Sequence, residues 1–75
     1  MDGESVVGAV GHLTVSIPEG GPGEVVVAIR GGSEAYAAWA DGPVAKHTQV
    51  LVIDQRSPRS VTVTPFITSP ALLKE

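Results

Sequence analysis

The sequence predicts an all-β fold, a small closed barrel of five short strands. Three observations carry this reading. Runs rich in Val, Ile and Thr occupy residues 6–17, 24–30, 49–54 and 61–64. Apolar and polar residues alternate along Leu13, Thr14, Val15, Ser16 and Ile17, and again from Val61 to Thr64. Corners rich in Gly and Pro separate the runs. β-branched side chains are stiff at χ1 and pack well on a pleated surface, and a period of two marks a half-buried strand.

The first strand is expected over residues 6–17, with Gly8 and Gly11 marking a bulge or a tight bend. Pro18 ends its pattern, and Glu19-Gly20-Gly21-Pro22-Gly23 supplies the turn. The second strand spans 24–30, with Val25, Val27 and Ile29 inward, and Gly31-Gly32 is a hairpin signal. The alanines of residues 33–40 suit a helix as well as a strand. The run between two glycine corners is too short for a stable helix, so a third strand is expected there. Asp41-Gly42-Pro43 turns the chain, and residues 44–48 form a connector with room for one helical turn. A fourth strand follows at 49–54, apolar on both faces and therefore expected to be covered on both. Residues 55–60 form a loop around Ser57-Pro58, and the fifth strand spans 61–64, with Phe66 and Ile67 as a possible extension. Residues 1–5 read as an N-terminal extension, disordered or added by cloning; 6–67 as the barrel domain; 68–75 as a tail.

Strand number and order match the oligonucleotide/oligosaccharide-binding (OB) barrel, with an SH3-like barrel as the alternative. Closure suits so small a sheet because it removes exposed edges.

Composition narrows the function. Seventy-five residues make one domain, with a net stability of about 3–5 kcal/mol. There is no cysteine to supply a disulfide or a thiolate metal site. The formal charge is −3, and of Arg30, Lys46, Arg56, Arg59 and Lys74 only Arg56 and Arg59 lie close together. That argues against nucleic acid, whose phosphates need clustered cations. No run approaches the roughly 20 apolar residues that span a bilayer, and no signal peptide is seen, so the segment is expected to be soluble.

Catalysis of the serine type needs a nucleophile, a base and an orienting group. His12 and His47 are the only histidines, and neither has partners at catalytic or zinc-ligand spacing. The glycines lack the Lys-Ser/Thr step of a phosphate loop. No catalytic, cofactor-binding or metal residue is assigned, no cofactor is expected, and the domain reads as no enzyme. Tyr36 and Trp39 are the candidate protein-contact residues. Three positions apart on a strand, they point to opposite faces, so one is expected in the core and the other on the surface.

The chain resembles the soluble C-terminal domain of the NfeD-like membrane proteins. The features are VVGAVGHLTVSIPEG, with Gly8, Gly11 and Thr14, then GEVVVAIRGGSEAYAAWADGPVAKHTQVLVID. In the second stretch Gly23 and Val25, then Gly32, Tyr36 and Ala38, then Thr48, Val50 and Val52 take the family's positions. Val61, Val63 and Pro65 match its closing strand. The resemblance covers residues 6–66. Lys46-His47-Thr48 stands where the family favours Lys-Gly-Thr, and Ser57-Pro58 replaces a glycine-containing turn. The resemblance implies a barrel of the OB type and a full-length protein attached to the cell membrane. It implies an adaptor role with a stomatin- or flotillin-type membrane scaffold protein, or self-association. The competing reading keeps the fold and makes it a single-stranded nucleic-acid-binding module.

Overall fold

The computed structural model describes residues 5–66 as five strands: β1 (Val10–Val15), β2 (Gly23–Ile29), β3 (Gly32–Trp39), β4 (Gln49–Ser57) and β5 (Ser60–Pro65). They close into a barrel in the order β1-β2-β3-β5-β4, with β4 returning to β1. Every neighbouring pair is antiparallel except β3 and β5, which run parallel. The expectations for residues 1–4, for Ile67 and for the tail at 68–75 lie outside the described residues.

Alternation places one face of each strand inside. Leu13, Val25, Val27, Val50, Val52, Val61 and Val63 are each at most 2 % exposed and form the core with Ala38, Ile17 and Val6. Burying such a side chain contributes on the order of 1.5–3 kcal/mol. Most of the core is valine, whose stiff χ1 suits the pleated wall of a narrow barrel.

β1 is shorter than the β-branched run that encodes it. It begins at Val10, because residues 6–9 make a turn in which the Ala9 amide donates to the Val6 carbonyl and Gly8 adopts φ 95°. Gly11 is neither bulge nor bend. A Cβ there would lie 2.5 Å from the Val26 carbonyl oxygen and 2.9 and 3.0 Å from the side chains of Val25 and Val27, so the missing side chain lets β1 and β2 approach. The register shift comes later, between Leu13 and Val15. Ile17 then makes a bridge to Val44, with reciprocal backbone bonds of 2.8 and 2.9 Å.

The third strand forms as expected, since β2 supplies every residue of β3 from Gly32 to Ala38 with a register partner. The connector holds a tight turn instead of a helical one. The Thr48 amide donates to the Ala45 carbonyl, and His47 takes φ 77°.

Two further expectations are corrected. β4 runs on to Ser57, and the loop shrinks to Pro58 and Arg59, because the Ser57 and Ser60 hydroxyls bond at 2.8 Å and tie the strand ends together. β4 is also not covered on both faces. Leu51 and Ile53 take the outer face, opposite to Val50 and Val52; Leu51 is half-buried, and Ile53, which has no register partner at the shift between Val52 and Asp54, is 49 % exposed. The fifth strand ends at Pro65; the Phe66 amide still donates to the Gln49 carbonyl.

Candidate protein-contact face

Tyr36 and Trp39 part as the strand period requires. Tyr36 shares the inward face of β3 with Ala38 and packs against the valine core. Trp39 takes the outward face and is half-buried there. Across the sheet it pairs with Thr62 of β5, and Thr62 pairs in turn with Asp54 of β4. Beyond Asp54, Arg56 reaches back, and its guanidinium carbon sits 4.8 Å from the Trp39 ring centroid. A guanidinium within about 6 Å of an indole centroid is attracted by the ring quadrupole.

The side chains beside the ring on β3 and β5 are small and uncharged. Ala37 precedes it on the outward face, and Thr62 and Thr64 continue that face along β5. A shallow groove of about 250 Å³ runs between the Asp41–Pro43 corner and β5, with Pro43, Val44, Ile53, Thr64 and Pro65 among its walls. Ile53 thus adds exposed apolar area to the Trp39 side of the barrel.

A second recess opens at the barrel end where the β2–β3 hairpin outruns its neighbours. Ser5, Val6 and Ala9 face Ile29, Arg30 and Tyr36 across about 540 Å³. Ile29 has the inward parity the sequence predicts. It is nonetheless 37 % exposed, because this part of the hairpin projects past the closed barrel.

The histidines are placed apart from these features. His12 is exposed on the outer face of β1, opposite Val26 and Gln49. His47 is exposed in the turn before β4. Among the described residues no group of three or more His, Asp or Glu side chains is placed to hold a metal ion. The Thr14 hydroxyl donates to Glu24 at 2.6 Å and ties β1 to β2. Sequence reasoning missed the pairing of Arg56 with Trp39 and the exposure of Ile53. The first depends on which strand lies beside β3 and the second on whether anything packs on the outer face of β4, and local periodicity reports neither.

Comparison with known proteins gives two matches. The family model of the NfeD C-terminal domain matches residues 10–64. The solution structure of the soluble domain of the NfeD protein YuaF from Bacillus subtilis superposes with a TM-score of 0.66 at 32 % identity, covering 77 % of this chain and 70 % of that one. No curated protein matches the chain.

Proposed function

The chain belongs to the NfeD C-terminal domain family, and on that footing we propose that it is a protein-contact module whose working surface is the Trp39 face of the barrel. The family is one of membrane proteins, and the domain is read as a non-enzymatic part of them. Among the described residues no helix is long and apolar enough to cross a membrane. On the family reading, attachment belongs to other parts of a longer protein, and this barrel acts as its adaptor at the cell membrane. The barrel is of the OB type. Support comes from β1 pairing with both β2 and β4, together with the parallel contact between β3 and β5.

One observation carries the contact role: an outward indole stacked by Arg56, among alanines and threonines. Trp and Arg are the residues most enriched in the energetic centres of interfaces, and a ring already held in place loses little entropy on binding. The partner is a stomatin- or flotillin-like membrane scaffold protein, with self-association as the lesser mode. The test is capture of such a scaffold protein by the parent domain, Trp39→Ala and Tyr36→Ala. Loss of capture by Trp39→Ala with unchanged melting supports the reading. Full capture by that variant sinks it.

A further inference from the structure

Backbone groups of alternate strand residues point to opposite edges. The Ala37 amide donates to the Arg59 carbonyl at 2.9 Å. On β3 the amides and carbonyls of Ala37, Ala35 and Ser33 are therefore directed away from β2. β5 takes up this edge only over Ala37, Ala38 and Trp39. Among the described residues no strand lies beside Ser33 and Ala35 on that side, and residues 33–35 are exposed. Proteins commonly blunt such an edge with charged side chains, Pro or a bulge. Here the one such device is the Glu34 carboxylate between Ser33 and Ala35, which disfavours an uncharged or acidic strand but suits a basic one, and the β2–β3 register is unbroken.

We propose that the β3 edge at residues 33–35 accepts an extended segment of a partner protein that carries a Lys or Arg opposite Glu34. This rests on reading the domain as a protein-contact module, and it identifies a second surface of that module. Main-chain bonds to Ser33 and Ala35 supply affinity, as in strand addition generally. Glu34 supplies selection. It has the parity of Val27 and Tyr36, the side that faces the 540 Å³ recess. A residue directly opposite Glu34 lies in a non-hydrogen-bonded position, where side chains come closest. Flanking side chains of the added segment with the same parity point toward the apolar wall formed by Val6, Ala9 and Ile29.

A second copy of this chain fits the edge poorly. Only Ser33 and Ala35 offer free backbone groups, so antiparallel self-pairing sets Ser33 against Ala35 and Glu34 against its own counterpart. Like charges directly opposite are destabilising, and each copy carries a formal net charge of −3. A cation in the same place turns that repulsion into attraction.

The test uses the full 75-residue chain and two peptides, Thr-Val-Thr-Lys-Thr-Val-Thr and its counterpart with Glu at the centre. Amide hydrogen exchange is followed by NMR. The Lys peptide is expected to slow exchange at Ser33 and Ala35 and to leave Glu34 and Tyr36 unchanged, because their amides already serve β2. It should bind about two- to fivefold tighter than the Glu peptide. Glu34→Lys should invert that preference. Ala35→Pro should abolish protection at Ser33, since it removes an amide that the β2 ladder does not use. No protection at Ser33 and Ala35, equal binding of both peptides, or the same protection in the peptide-free chain at high concentration overturns the proposal. Changes confined to the Trp39 surface overturn it as well, while leaving the protein-contact reading intact. Edge protection alongside full scaffold capture by Trp39→Ala overturns the Trp39 assignment alone.

Discussion

Arg56 and Trp39 meet across an intervening strand. β5 lies between their strands, and the short Thr62 side chain beneath them leaves the guanidinium free to reach within 4.8 Å of the indole centroid. The contact fixes the ring's outward orientation without drawing it into the core. Arg56→Ala is expected to cost no more than about 1 kcal/mol in urea unfolding. It should weaken scaffold-protein capture less than Trp39→Ala does, because the ring remains present but is less restrained.

Tyr36→Ala should behave in the opposite sense. Its ring packs against the valine core, so truncation should cost roughly 2–3 kcal/mol, below the range for a fully buried aromatic because the site is only half-buried. A urea midpoint equal to the parent's would show that Tyr36 carries no packing role.

Gly11→Ala should destabilise by about 1–3 kcal/mol, the usual cost of overpacking. The added methyl meets the Val26 carbonyl and two core valines, and none of these is the free end of a flexible side chain. Val27→Asp should prevent folding altogether, because it places an unpaired carboxylate at a position 0 % exposed. Circular dichroism of both variants checks this pair, and a native spectrum for Val27→Asp would contradict the assigned interior.

His47→Gly should stabilise. A non-glycine residue at φ 77° bears a left-handed cost of roughly 1–2 kcal/mol. The entropy glycine loses on folding offsets about 0.5–1 kcal/mol of that gain. A net rise of up to about 1.5 kcal/mol in unfolding free energy is therefore expected by difference. A fall would mean that the His47 side chain makes a compensating contact.

Short single-stranded DNA and RNA should not bind at physiological salt. Trp39 is one outward aromatic beside one arginine, whereas a stacking groove needs several aromatics within clustered cations. A salt titration checks this. Micromolar binding that weakens steeply as salt rises would favour the nucleic-acid reading.

The sequence made the inward face of each strand legible wherever alternation was clean, as at Leu13, Val25, Val27, Val61 and Val63. It made β3 legible because two glycine corners left no length for a helix. It showed that Tyr36 and Trp39 must part, but not which ring goes inside. That choice depends on the register of β3 against β2, where Val25 faces Tyr36. Leu51 and Ile53 misled for a related reason. Apolar residues on both faces imply cover only where another layer packs on the outer face, and patterning within one strand does not show whether one does. The length of β4 was hidden because Ser57 and Ser60 close the hairpin with hydroxyl bonds, a contact that hydrophobic patterning does not encode.

The parallel seam between β3 and β5 is three residue pairs long, whereas β2 and β3 share seven; the β1–β4 seam also has three, but backbone bonds from the amides of Gly8, Leu13, His47 and Val52 extend it. Each half of the parallel seam belongs to a hairpin that can form early from local contacts. The seam itself joins segments more than twenty positions apart and must await loop closure. It is therefore the natural place for the barrel to part in a sub-global opening, with the two hairpins swinging away from each other while their own ladders persist. The Ala37 amide, held by Arg59 across this seam, should then exchange with solvent ahead of the amides within the β2–β3 ladder. Such breathing would lengthen the free edge of β3 from residues 33–35 toward Trp39, coupling the domain's capacity to take up a strand to the ease with which it opens.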